Sequence, residues 1–115
     1  MSMDKSLLAG STTMLVLKLL DGQDMYGYQM IEELARRSDH AFALKTGTLY
    51  PLLHSLEEKE VIHSYEKDEG AARPRRYYHL ERKGQHLLRE KEVEWATFTT
   101  AVDRVLKGGV CLGSA

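Results

Sequence analysis

Two short segments of the chain carry polar and basic side chains at spacings that suit contact with a nucleic acid. In the first, residues 46–57, the leucines recur at the i, i+3, i+4 and i+7 spacing of one helix face. They are Leu49, Leu52, Leu53 and Leu56. The other face then carries Thr48, Tyr50 and His54, which can hydrogen-bond to bases or phosphates. The second segment, residues 73–80, opens with three arginines around a proline and is a candidate phosphate clamp. The arginines are Arg73, Arg75 and Arg76.

An amphipathic helix followed by a basic hairpin is the order of elements in a winged helix–turn–helix, which grips DNA from two sides. Less specific interpretations of the same residues stay open. The arginines can be a solvated charge run, and Tyr50 can pack against the preceding helix instead of reaching phosphate. Tyr77 and Tyr78 alternate across a strand, so one must pack inward, and both can be mainly structural.

Hydrophobic periodicity and turn signals predict the elements that position these residues. The predicted fold class is mainly α with a small β-hairpin wing, followed by a long C-terminal helix. The DNA-binding region is expected over residues 1–80. Its parts are helix one at about 4–21, helix two at about 26–37, a recognition helix at about 46–60 and the wing at 61–80.

Three residues give more detail on the second and third helices. Gly27 indicates a close backbone approach near the start of helix two. Tyr28 is expected to face the core with the apolar residues three and six positions later. Pro51 lacks an N–H group, which favours a start of the recognition helix nearer Thr48.

The last helix, predicted over residues 81–108, carries a heptad-like pattern. Leu88, Trp95 and Val102 are spaced by seven, and Phe98 and Val105 fill alternate positions. A long apolar stripe on a terminal helix needs a partner helix, and a second subunit can supply it. The predicted dimer interface is Leu7, Leu88, Trp95, Phe98, Val102 and Val105. Residues 109–115 are expected to form a flexible tail.

The net charge of −1 is not that of a strongly basic nucleic-acid binder. The charges are unevenly distributed, however. From Lys67 to Lys91 there are eight basic residues against four acidic ones, a local balance of +4. The region that contains the predicted wing is therefore basic although the whole chain is not.

Several classes of function are not supported by the sequence. A single cysteine, Cys111, allows neither an intramolecular disulfide nor a cysteine-based zinc site. The five histidines lack a zinc-site spacing, and no nucleophile elbow, phosphate loop or paired-carboxylate motif is present. We therefore expect no enzyme activity, no metal and no cofactor. No signal peptide or transmembrane helix is predicted, which favours a cytoplasmic protein with no membrane partner.

Four motifs together resemble the PadR-like transcriptional regulators, in particular the short subgroup with a single C-terminal helix. These motifs are Tyr26-Gly27-Tyr28, the run from Gly47 to Leu53, Leu56-Glu57, and the run from Arg73 to Leu80. The resemblance implies a homodimeric DNA-binding repressor whose recognition helix enters the major groove of an inverted-repeat operator. It makes DNA-contact candidates of Lys45, Thr46, Thr48, Tyr50, His54, Arg73, Arg75 and Arg76.

The resemblance also implies a planar aromatic or phenolic effector near the dimer interface, with Leu8, Trp95 and Phe98 as candidate ligand-binding residues. Trp95 can equally be a plain residue of the dimer core. The chain departs from the family at Glu60, where glycine commonly precedes the wing, so a different turn is expected there. A regulator without small-molecule input and a winged-helix protein-interaction module that does not bind DNA remain as alternatives.

Overall fold

The computed structural model describes residues 8–70 and 73–108, which form four helices and one three-stranded sheet. This is the predicted fold class of a mainly helical chain with a β-hairpin wing. The order is α1 (Thr12–Leu20), β1 (Met25–Tyr26), α2 (Gly27–Arg37), α3 (Thr46–Glu58), β2 (Ile62–Lys67), β3 (Arg75–Leu80) and α4 (Arg82–Leu106). None of the helices in these described ranges is long and apolar enough to cross a membrane.

The core lies where α1, α2 and α3 pack against each other and against the inner face of the sheet. The leucine stripe of α3 enters this core, because Leu49, Leu53 and Leu56 are buried while Leu52 is half-buried. Helix α1 contributes buried residues on two sides, as expected for a helix that contacts several neighbours. The largest fully buried side chains are Val16, Leu17, Leu19, Leu20, Met25, Met30, Leu49, Leu53, Leu56 and Ile62.

The hairpin of β2 and β3 is extended by a strand that periodicity did not predict. Strand β1 has two residues, Met25 and Tyr26, and pairs antiparallel with β3, so the sheet order is β1-β3-β2. Side chains alternate along β3, with Tyr78 and Leu80 turned into the core. We call the opposite side of the sheet, which carries Tyr77, the outer face.

Helix α3 ends in a left-handed turn at Glu60, whose φ is 63°. The Val61 N–H group donates to the Leu56 carbonyl oxygen at 3.2 Å, and the Glu60 N–H group donates to that of Glu57 at 3.0 Å. These two bonds define a Schellman motif, in which glycine normally occupies the left-handed position. Glu60 therefore adopts the conformation that glycine favours, and Leu56 and Val61 stay together in the core.

The junction between the sheet and α4 depends on Gly84. A Cβ atom at this position would overlap the carbonyl oxygen of Val61 and the Leu80 side chain. The first turns of α4 can therefore lie directly on the chain that enters β2. One turn later Leu88 joins the core with 2% of its surface exposed.

Two expected features of the helices are corrected. Helix one was expected as one helix over about residues 4–21, but a turn at Gly10 and Ser11 separates α1, which begins at Thr12, from the helical residues Leu8 and Ala9; residues 4–7 lie outside the described residues. The weak helix propensity of Gly10 is a sufficient physical reason for this break. Helix α3 begins at Thr46, as in the predicted range of about 46–60, and the later start near Thr48 that Pro51 favoured is wrong, so Pro51 lies inside the helix.

The prediction that Tyr28 faces the core is also wrong, because 63% of its surface is exposed. The buried face of α2 consists of Gly27, Met30 and Leu34, and Tyr28 lies beside this stripe. The predicted interface residue Leu7 and the tail 109–115 lie outside the described residues.

Candidate nucleic-acid interface

The exposed face of α3 carries most of the residues expected to read DNA. Because the leucine stripe is buried, Lys45, Thr46 and Thr48 are exposed at the start of the helix. His54 lies farther along, and its Nε2 atom is 3.6 Å from Glu58 Oε2. The structure thus brings these four side chains to the outside of one helix, and Glu58 lies beside His54.

Tyr50 combines the two roles that the sequence left open. Its ring rests on the backbone of Gly27, where an added Cβ atom would lie 2.6 Å from the ring carbon that bears the hydroxyl. Still, 40% of the Tyr50 surface is exposed. Partial burial raises the pKa of the Tyr50 hydroxyl, and the nearby Tyr28 adds a smaller effect in the same direction. Tyr50 packs α3 against α2, and its exposed part remains able to contact DNA.

The hairpin arginines alternate across β3. Arg75 lies on the outer face, where its guanidinium carbon is 4.6 Å from the Tyr26 ring centroid and its Nη1 is 3.4 Å from Glu69 Oε1. Arg76 points the other way and donates through Nη1 to Ser64 Oγ at 2.8 Å. Arg73, before the strand, is exposed. The three arginines are therefore near one another in the chain but do not form a single cluster.

A hydrogen-bonded chain ties the hairpin to the end of α3. Arg76 donates to Ser64, and the Ser64 hydroxyl in turn donates to a carboxylate oxygen of Glu57. Glu66 also lies 3.8 Å from the Arg76 guanidinium. The chain fixes the orientation of β2 and β3 relative to the helix that carries the candidate reading residues.

A second polar cluster fixes the outer face of the sheet to the loop before β1. Asp24 accepts hydrogen bonds from the Tyr65 hydroxyl at 2.6 Å and from Nδ1 of His79 at 2.8 Å. Partial burial opposes the negative charge of Asp24, but the hydrogen bonds from Tyr65 and His79 outweigh it and lower the Asp24 pKa. The hydrogen bond from the Tyr65 hydroxyl to Asp24 raises the pKa of Tyr65 to about 12. Next to His79 in this cluster, His63 contacts Glu81.

Sequence reasoning missed Lys67 and Glu69 as members of the hairpin surface. Lys67 lies directly across the hairpin from Arg75, and Glu69 lies within ion-pair distance of both. The alternation of side chains along β2 and β3 could have indicated that Lys67 and Arg75 share a face, since cross-strand partners do. The position of Glu69 depends on how the turn folds back, which periodicity does not predict.

The C-terminal helix leaves a long apolar stripe exposed on the single chain. Trp95 and Phe98 are 46% and 60% exposed, and their ring centroids are 6.0 Å apart. Val105 is exposed farther along, and Val102 is half-buried. Leu88 differs from the other predicted interface residues, because its surface is already covered by the core of its own chain.

The candidate effector site is not formed by one chain alone. Leu8 is half-buried, whereas Trp95 and Phe98 are exposed on α4. Two open clefts lie instead between the end of α3 and the start of α4, and neither includes Trp95. A pocket at Trp95 would therefore need a second surface opposite the α4 stripe.

Comparison with known proteins gives a consistent result. A family model described as the transcriptional regulator PadR-like family matches residues 16–90. An uncharacterised protein of Lysinibacillus sphaericus is 32% identical over 102 residues, which cover 89% of this chain and 94% of that protein.

Solved structures agree with the sequence match. A PadR family transcriptional regulator from Eggerthella lenta has a TM-score of 0.78 and 34% identity over 90% of this chain and 88% of its own. A transcriptional regulator from Clostridium thermocellum has a TM-score of 0.80 and 26% identity over 86% and 96% of the two chains. The family match spans α3, the hairpin and the first turns of α4.

Proposed function

Because the chain belongs to the PadR-like family of transcriptional regulators, we propose that it is a homodimeric repressor that binds a specific inverted-repeat DNA site. The observation that carries this proposal is the arrangement of α3. Three of its leucines are buried, while Lys45, Thr46 and Thr48 are exposed at its N-terminal end and His54 is exposed two turns farther along. A helix held in this way can enter the major groove, where side chains distinguish base pairs.

The hairpin supplies the second contact with DNA in this proposal. Arg73, Arg75 and Arg76 are exposed, and guanidinium groups bind phosphate oxygens well. Phosphate contacts fix the position of a protein on the duplex but carry no sequence information directly. We therefore assign positioning to the arginines and sequence choice to Thr48, His54 and the exposed edge of Tyr50.

The exposed stripe of α4 supports a dimer. Trp95, Phe98 and Val105 would be costly to leave in water along a helix of 25 residues. A second copy of the same helix offers a complementary surface, as two-fold interfaces do. In this dimer the interface consists of Trp95, Phe98, Val102 and Val105, with the N-terminal segment that includes Leu7 and Leu8.

The effector part of the proposal rests on Trp95 and Phe98. Two indoles and two phenyl rings brought together by the two-fold axis form an aromatic-lined slot suited to a planar aromatic or phenolic compound. Such a compound releases DNA only to the extent that it binds one arrangement of the subunits better than the other. Repression is then relieved when the effector favours the arrangement that does not fit the operator.

The first experiment measures binding of the protein to the DNA upstream of its own gene, by fluorescence anisotropy at several salt concentrations. We expect saturable binding that is tighter than binding to unrelated duplex. Trp95 is the only tryptophan, so its fluorescence reports effector binding in the same sample. Compounds that quench it with saturation should weaken operator binding, and DNA should weaken their binding in return.

A protein-interaction module without DNA binding is the second candidate. One observation favours it: Arg75 and Arg76 are already close to carboxylates of Glu69 and Glu66, in a chain of net charge −1. Absence of binding to any duplex at low salt, by a protein that is folded and dimeric, would favour this candidate over the repressor.

A further inference from the structure

The outer face of the hairpin holds two cations directly opposite each other. Lys67 on β2 and Arg75 on β3 are cross-strand partners. Like charges at such positions repel and destabilise a sheet. Both lie at the end of the hairpin next to its turn, on the same side as Tyr77.

Glu69, in the turn, compensates for this repulsion. Its Oε1 atom lies 3.4 Å from Arg75 Nη1, and its Oε2 atom lies 3.8 Å from Lys67 Nζ. The Tyr77 hydroxyl donates a hydrogen bond to Oε2 at 2.8 Å, which raises the Tyr77 pKa. Three donors therefore converge on one carboxylate that is still partly exposed to solvent.

Aromatic rings also lie against the two cations. The Arg75 guanidinium lies over the Tyr26 ring at 4.6 Å, and Lys67 Nζ lies 5.2 Å from the Tyr77 ring centroid. Cation–π contacts of this kind orient a positive charge without neutralising it. The donors thus form a site for an anion with oxygen acceptors, and the anion can be Glu69 or another group.

We propose that Lys67, Arg75 and the Tyr77 hydroxyl bind a phosphate of the DNA backbone, and that Glu69 fills this site in the free protein until the phosphate displaces it. A carboxylate and a phosphate accept the same charge-assisted hydrogen bonds. The inference rests on the proposed function, since it requires DNA binding, and it adds Lys67 and Glu69 to the residues that determine affinity. Glu69 lowers the affinity for every duplex alike, because backbone phosphates are common to all of them.

The test compares the Glu69→Gln variant with the unaltered dimer. Glutamine keeps an oxygen that can accept a hydrogen bond from the Tyr77 hydroxyl, but it carries no charge. We expect Glu69→Gln to bind operator and unrelated duplex about two- to tenfold more tightly at about 0.1 M salt. The plot of log affinity against log salt should become steeper by up to about one unit.

The matched control is Glu90→Gln, which removes the same charge from an exposed position on α4. It should change affinity less than Glu69→Gln does. If the two variants bind DNA equally, Glu69 has no special role and the proposal is wrong. If the unaltered protein binds no duplex, the proposed function itself is wrong. If it binds duplex but Glu69→Gln behaves like Glu90→Gln, only the role of Glu69 is wrong, so the two failures are distinguishable.

A second variant keeps the test valid if Glu69→Gln does not fold. Lys67→Gln should weaken binding to all duplexes and lower the salt slope by about one unit. In the double variant the gain from Glu69→Gln should be smaller than in the unaltered protein, because the two side chains share one site. Lys67→Gln with unchanged affinity and slope would overturn the phosphate assignment.

Discussion

At the scale of single residues, the hairpin cations are engaged by acidic side chains of the same chain. Arg76 shows this well, since one of its nitrogens bonds to Ser64 while another lies 3.8 Å from Glu66. Such an arginine weakens its contacts within the chain when it binds a phosphate. The free energy that it contributes to DNA binding is therefore the difference between the new contacts and those it had before. Its effect on affinity is therefore smaller than that of a free guanidinium.

The assignment of roles can be tested with Arg76→Ala and Thr48→Ala. Arg76→Ala should weaken binding to operator and unrelated duplex alike and reduce the salt slope by about one unit. Thr48→Ala should leave the slope nearly unchanged and alter the sequences selected from a random duplex library. If Arg76→Ala changes the selected sequences while the slope stays constant, the assignment of positioning to Arg76 is wrong.

Asp24 gives a prediction about pH. Because its pKa in the folded protein is lowered from the ordinary value of 3.8, its stabilising effect is full above that value and is lost as the pH falls through the lowered pKa. Asp24→Asn should reduce the free energy of unfolding by about 1 kcal/mol at neutral pH. The difference from the unaltered protein should shrink in acid, as measured by urea unfolding over a pH series.

Asp21→Asn is the control for this measurement. Asp21 is an exposed carboxylate in the same loop, 3.8 Å from Lys18. Exposed pairs of this kind contribute about 0–1 kcal/mol, so we expect a smaller loss of stability than for Asp24→Asn. Equal losses would show that the hydrogen bonds from Tyr65 and His79 contribute nothing beyond general surface charge.

At the scale of elements, two helical glycines have opposite surroundings. A Cβ atom at Gly84 would overlap the Val61 backbone, whereas at Gly47 it would meet nothing within 4 Å. Gly84→Ala should therefore lower the free energy of unfolding by about 1–3 kcal/mol, the usual cost of overpacking. Gly47→Ala should raise it by about 0.5–1 kcal/mol because alanine favours the helix. Thermal unfolding of both variants checks this, and destabilisation by Gly47→Ala alone would contradict the prediction.

The elements that the sequence predicted well are those with a local signal. The leucine spacing placed α3, and alternation placed β2 and β3. Strand β1 was missed because two residues are too short for any period, and its pairing with β3 is set by tertiary packing. The exposure of Tyr28 was missed for a related reason, since it depends on which neighbour covers α2.

The residues of the candidate site likewise fall into those with a local sequence signal and those without one. The exposed face of α3 could be derived from its leucines, and the basic hairpin from its composition. The acidic partners of the hairpin arginines could not, because Glu69 reaches Arg75 through the turn and Glu57 reaches Arg76 through Ser64. Leu88 was assigned to a partner subunit because the heptad pattern does not show where α4 leaves its own core.

At the scale of the whole molecule, the single chain is elongated. Its extents are 65 × 33 × 21 Å and its radius of gyration is 17.3 Å, whereas a compact domain of this length has about 13 Å. The excess comes from α4, which extends beyond the core after Leu88 with its apolar side chains exposed. This exposed, protruding helix is the surface that the proposed dimer would cover.

Phe98→Glu should convert the proposed dimer to monomers at micromolar concentration, as measured by sedimentation. The physical reason is that two buried, unpaired carboxylates would replace two phenyl rings on the two-fold axis. Thr100→Glu, on the opposite side of α4, should remain dimeric. A dimer that survives Phe98→Glu, or an unaltered protein that is monomeric, would contradict the α4 interface.

The proposed dimer would also set the length of the operator. In a two-fold helix–turn–helix dimer the recognition helices lie about one DNA turn apart, roughly 34–36 Å. We therefore expect an inverted repeat with half-site centres about 10 base pairs apart. Inserting five base pairs between the half-sites should abolish tight binding, as footprinting would show, while a site that tolerates this insertion would exclude a rigid dimer.

The chain of contacts from Arg76 through Ser64 to Glu57 links the hairpin to the end of α3. If Arg76 reaches a phosphate through a nitrogen other than the one bonded to Ser64, the hairpin would stay tied to α3 in the proposed complex with DNA. The phosphates within reach of Arg76 would then lie at a fixed distance from the base pairs next to α3, so the local width of the groove would become part of what the proposed repressor recognises. Base pairs that no side chain touches would thereby influence affinity through the stiffness they give to the duplex.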